Sequence, residues 1–162
     1  MGLIFRDDPH QEPLPRVWGP GLFDNYAGVD ARNCYLEYLL DGRGDDGATR
    51  LAIETRDIDA YDIQTRVLFW TALASVQMDL GKLSETVKQW ALEVLSYGDN
   101  SLVADHTEWR DERRQVLESF VTRLKWPQRS SMSDRDVQRY CYELWGDDWS
   151  SHTDLESPMG PS

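Results

Sequence analysis

The residues best suited to chemistry are a few carboxylates and amides in the first half of the chain. Asp24, Asn25 and Asp30 lie close behind the sequence Trp18-Gly19-Pro20-Gly21. Their oxygens would suit a hard cation, but cation-binding loops space their ligands at regular two-residue steps, and that spacing is absent here. Helix capping explains Asp24 and Asn25 without a metal, because both side chains accept bonds from the orphan amides of a helix start. With Glu37 and Gln77 the set becomes the raw material of a carboxylate enzyme. A deep pocket holding two or more of Asp24, Asp30, Glu37 and Gln77 would favour that class, and a solid core would count against it.

Other catalytic patterns are missing. His10, His106 and His152 are the only histidines, and Cys34 and Cys141 the only cysteines. No local pattern pairs a cysteine with a histidine as nucleophile and base. The cysteines also lack metal-site spacing. There is no glycine-rich phosphate loop, no Gly-x-Ser-x-Gly elbow and no His-Glu-x-x-His helix. The expectation is therefore no catalytic residue, no metal and no cofactor.

The elements around these residues read as helices. Pro9, Pro13, Pro15 and Pro20 keep residues 1–17 extended, and Trp18 to Gly21 should form a tight turn. Phe23, Asp24 and Asn25 then lead into a first helix from Tyr26 to Leu40. A polar, glycine-rich loop follows, then a short helix over Ala48–Arg56. The acidic link Asp57 to Asp62 opens the central hairpin. There Val67, Trp70, Leu73, Ala74 and Gln77 share a face, and Phe69, Val76 and Leu80 widen it until the helix must be buried all round. Gly81 closes this helix in the left-handed conformation. Its partner starts near Ser84 and turns Val87, Trp90, Ala91, Val94 and Leu95 inward. Gln77 should bond a carbonyl near Trp18-Gly19 and lock that turn onto the core.

A fifth helix should span Ala104 to Lys125, with Glu108, Glu112 and Arg113 making weak surface pairs. Ser133, with an acid three residues on, opens a short helix to Trp145. Residues 18–128 thus form one helical domain, residues 129–149 a linker and short helix, and residues 150–162 a disordered tail. The expected class is all-α: a single bundle of five to six helices around a central hairpin.

Composition narrows the function. The chain has 162 residues and a net charge of −12, so phosphate backbones would repel it and nucleic acid is an unsuitable partner. No apolar run approaches the roughly 20 residues a membrane span needs, and residues 1–15 carry no secretory-signal pattern. With two cysteines, a reduced cytoplasm is the expected compartment.

Two resemblances attach to particular residues. Trp70, Leu73, Ala74, Gly81 and Trp90 match spacings of a tetratricopeptide hairpin, although Thr86 and Glu93 stand where that repeat has alanine and no second copy follows. More of the chain resembles an uncharacterised family of small, acidic, helical bacterial proteins grouped as a domain of unknown function. Trp18, Gly19, Gly21, Phe23, Asp24 and Asn25 match its opening element, and Asp30, Arg32 and Tyr35 its first helix. Phe69, Trp70, Ala72, Leu73, Ala74, Gln77, Gly81 and Leu83 match its central run. Arg113, Val116, Leu117, Leu124 and Pro127 match its last helix and stop. The resemblance implies a helical fold and no particular activity.

The functional expectation is a non-catalytic protein that binds another macromolecule. Its most concrete form is an immunity- or antitoxin-like protein masking a basic toxin surface. Asp57, Asp59, Asp62, Asp147 and Asp148 would supply the charge, and Tyr142, Trp145 and Trp149 the aromatic anchors. Trp18, Gly19, Gly21, Phe23, Asp24, Asn25, Trp70, Gln77 and Gly81 are read as structural. The rivals are a helical adaptor with a peptide groove on its hairpin and the carboxylate enzyme described above.

Overall fold

A computed structural model describes residues 17–97 and 109–158, and the fold is an all-α bundle. Residues 17–25 close a loop before the first helix. Val17 pairs with Asn25 in an isolated antiparallel bridge, and the Trp18 amide donates to the Asp24 carbonyl at 2.8 Å. The Asp24 carboxylate sits inside this loop and accepts from the Gly21 amide at 2.9 Å. A Cβ on Gly19 or Gly21 would come within 2.5 or 2.7 Å of that carboxylate. Asn25 then caps helix α1 (Tyr26–Leu40), accepting from the Gly28 amide at 2.6 Å.

Helix α2 (Gly44–Glu54) begins inside the glycine-rich loop, four residues before the sequence suggests. Asp45 and Asp46 in its first turn favour that start by complementing the helix dipole. A 3-10 turn (Ile58–Ala60) leads to Asp62, which caps α3 (Ile63–Leu80) through the Thr65 amide at 2.8 Å. Helix α3 is the axis of the fold: α1 packs on one side, and α4 (Glu85–Leu95) on another. Phe69, Leu73, Val76 and Leu80 are fully buried along it. Trp90 stays 45% exposed, lying flat against Trp70 at 5.5 Å instead of entering the core.

Helix α5 spans Arg110–Lys125. The expected start at Ala104 lies outside the described residues, as do His10 and His106. The linker after α5 crosses the end of α3, where the Met132 amide donates to the Leu80 carbonyl at 2.9 Å. Ser133 caps α6 (Asp134–Trp145). A 3-10 turn (Gly146–Asp148) joins it to a last helical turn, α7 (Trp149–His152). The tail read as disordered from Ser150 is therefore placed as far as residue 158.

Two polar side chains depart from expectation. Gln77 is fully buried, but it reaches Thr49 Oγ1 at 2.8 Å and accepts from the Ser84 amide at 3.0 Å. It joins α2 to the start of α4 and does not hold the Trp18 turn. The Tyr35 phenol lies near this amide but completes no hydrogen bond.

Among the described residues Arg113 makes no surface ion pair. It is 1% exposed, and its Nη1 donates to the Pro20 carbonyl at 3.1 Å while Nε and Nη2 have no partner. This arginine, not Gln77, pins the Trp18 turn. Burial lowers its pKa to about 10, against the pull of Asp24. A cation whose folded pKa lies below its unfolded value destabilises the fold at every pH below the folded pKa. The cost is relieved as pH rises from about 10 toward the unfolded value. At roughly 1.4 kcal/mol per unit it is on the order of 3 kcal/mol. Arg113→Met should therefore unfold in urea within about 1 kcal/mol of the wild type, or later. A loss of several kcal/mol would show that the Pro20 bond and Asp24 outweigh the desolvation.

Candidate functional site

The outer face of α1 is the floor of the site. Tyr26, Asp30, Asn33 and Glu37 recur every three or four residues and so stack on one side of the helix. They line a groove of about 730 Å³, which is the size of an ordinary ligand pocket. One wall is the segment between α2 and α3, contributing Arg56, Tyr61 and Asp62, and continuing to Thr65 and Leu68 on α3. The other wall includes His152 from α7.

Each wall is fixed by identifiable bonds. Arg66 donates to the Tyr61 carbonyl at 3.1 Å and the Asp59 carbonyl at 2.9 Å, holding that loop against α3. Tyr61 also meets Phe69 edge-on at 6.2 Å. Arg56 grips Asp30 with two nitrogens: Nε to Oδ2, and Nη2 to Oδ1 at 2.9 Å. On the far wall, His152 stacks on Trp145 at 4.0 Å and its Nδ1 meets Glu37 Oε2 at 2.5 Å. Trp145 Nε1 in turn donates to Asn33 Oδ1 at 3.1 Å. The α6–α7 segment is thus tied to the same face of α1 that forms the floor.

The lining is acidic and partly aromatic. Asp30, Glu37 and Asp62 line the groove together with Arg56 and His152. Tyr26 is half exposed and carries Trp18 edge-on at 5.2 Å. The Tyr61 hydroxyl is pushed up, first by burial and then by Asp30. Burial also pushes the Cys34 thiol up, so this cysteine on the floor is a poor nucleophile. Among the described residues, no three His, Cys, Asp or Glu side chains gather to hold a metal ion.

The residues expected to bind a partner divide into two groups. Asp57, Asp59, Asp62, Asp147 and Asp148 are exposed. The first three lie on or beside one wall segment, and the last two lie in the turn just before α7. Of these five acids, Asp62 lines the groove and the other four do not. The aromatic anchors behave differently. Trp145 and Trp149 are 8% and 5% exposed, and Tyr142 packs edge-on against Trp149 at 5.6 Å. The two tryptophan rings are covered by the bundle and Tyr142 is partly buried, so Trp145 and Trp149 pack within the fold instead of standing open as anchors.

Of the four residues named for a carboxylate enzyme, Asp30 and Glu37 line the groove; Asp24 and Gln77 lie elsewhere. Both carboxylates are open to solvent, with side chains 47% and 42% exposed, and both are already paired with a basic side chain. Sequence reading missed Arg56, Tyr61 and the pairing of Glu37 with His152. The spacing of Tyr26, Asp30, Asn33 and Glu37 was the available signal. No family model matches the chain, nor does any curated protein or solved structure. Among the described residues no helix is long and apolar enough to cross a membrane.

Proposed function

We propose that this is a non-catalytic protein that takes a basic segment of another protein into the α1 groove, in the manner of an immunity or antitoxin protein masking a basic toxin surface in the cytoplasm. The single observation behind this reading is the groove itself, an open trough carrying three carboxylates and two tyrosines. Acids on the rim and the net charge of −12 would draw a cationic partner in and orient it. The family resemblance of the Trp18 element and the central run belongs to the same proposal, as the source of the scaffold that holds the groove.

A carboxylate enzyme is the second reading, because Asp30 and Glu37 share the groove. Catalysis of that kind needs one carboxyl held protonated at neutral pH, usually by burial. Neither side chain here is buried. Binding needs only what is on display.

Calorimetric titration with a short arginine- and lysine-rich peptide tests the proposal, with an acidic peptide of equal length as control. The basic peptide should bind, weaken as salt rises, and lose about tenfold in affinity to the double variant Asp30→Asn/Glu37→Gln. The acidic peptide should not bind. Equal binding by wild type and double variant would move the contact away from the groove, and no binding by the basic peptide would remove the reading.

A further inference from the structure

Arg56 occupies Asp30 in a way that prescribes what could replace it. The residue follows the C-terminal cap of α2, and its Nη1 rests on the Thr55 carbonyl at 3.1 Å. Its Nε and Nη2 present a planar fork to the two oxygens of Asp30. A guanidinium makes that two-point contact and an ammonium does not. The pair sits at the groove surface, with Arg56 26% and Asp30 47% exposed.

Two consequences follow for a basic segment entering the trough. Asp30 is already neutralised, so the entering cation would meet Arg56 as a like charge. Displacing Arg56 exchanges one guanidinium–carboxylate fork for an equivalent one from the partner, and it removes the repulsion. After displacement Arg56 can turn to water, because its side chain is not enclosed.

We infer that Arg56 is an internal stand-in for the partner: it fills the Asp30 fork in the free protein and yields it to an arginine side chain of the incoming segment, so the groove selects arginine over lysine. This rests on the reading of the groove as a site for a basic segment. Tyr26 and Tyr61 line the same groove, offering ring surface to the stem and guanidinium of that arginine.

The test uses two synthetic peptides of equal length and charge, one carrying only arginines and one only lysines. Each is titrated calorimetrically into the full chain as wild type, Arg56→Gln, Arg56→Lys, Asp30→Asn and the double variant Asp30→Asn/Arg56→Gln. Removing the stand-in frees Asp30, so Arg56→Gln should bind the arginine peptide about fivefold more tightly than the wild type. The lysine peptide should gain less than about twofold, because it cannot use the fork. Arg56→Lys keeps the charge but loses the fork, and should show part of the gain. Asp30→Asn should show no gain, with or without Arg56→Gln.

Wild-type binding that Arg56→Gln and Arg56→Lys leave unchanged or weaken would overturn the inference while leaving the groove reading in place. An equal gain for the lysine peptide would also overturn it, by reducing Arg56 to a general repulsive charge. Failure of every variant to bind either peptide would overturn the groove reading and this inference together.

Discussion

Gly81→Ala is expected to destabilise the fold by about 3–5 kcal/mol, seen as an earlier urea midpoint with an unchanged slope. Two costs combine. Gly81 closes α3 at φ 70°, and an L-residue in that left-handed conformation loses about 1–2 kcal/mol. An added Cβ would also run into the Ser130 carbonyl, which is backbone and cannot swing aside. Relief would require the linker to lift from the end of α3. That movement would break the Met132–Leu80 bond and loosen the Arg129 contact to the Asp79 carbonyl at 3.0 Å. Gly42 is the natural control, since it has φ 79° and nothing near its absent Cβ. Gly42→Ala should lose only about 1–2 kcal/mol. Equal losses at the two positions would show that the linker does not press on Gly81.

Trp145→Ala is expected to cost about 3–5 kcal/mol, as truncation of a buried tryptophan commonly does. The ring is buried, leans on Trp149 at 6.3 Å, stacks under His152 and hydrogen-bonds Asn33. Its removal should also free the α7 wall. Trypsin should then cut sooner after Arg135 and Arg139 on α6, detected by mass spectrometry of early fragments. A surface anchor for a partner would behave in the opposite way: truncation would leave stability within about 0.5 kcal/mol and affect binding alone. Denaturation of this one variant separates the two roles.

Much of the fold was legible in the sequence because local chemistry sets it. Ser84 and Ser133 cap the helices they precede, and Gly81 stops α3. The run from Val67 to Leu80 is apolar on every side, so it had to be central. The start of α2 was obscured because Gly44, Asp45 and Asp46 carry no apolar period; the available signal was the pair of acids, which complement the helix dipole in the first turn. Arg113 was misread from its charge. It stands in register with Leu117, Phe120 and Leu124 on the buried stripe of α5, and that register was the better guide.

The site was only half legible. Its floor is periodic along one helix, so Tyr26, Asp30, Asn33 and Glu37 could be placed together. Its walls depend on contacts across long stretches of chain, Arg56 to Asp30 and His152 to Glu37, which no spacing announces. Trp145 was read as a partner anchor because its hydrogen-bond partner, Asn33, lies 112 residues away, whereas Trp149 bonds the Leu155 carbonyl only six residues on, in a segment read as disordered.

The central claim is that the α1 groove receives an arginine-bearing segment. Its most direct test is a titration of isotopically labelled protein with the arginine peptide, followed by amide chemical shifts. The largest shifts should fall on Asp30, Asn33, Glu37, Arg56 and Tyr61, while the exposed faces of α4 and α5 stay still. Shifts scattered over the acidic surface, with none concentrated on α1, would contradict the account.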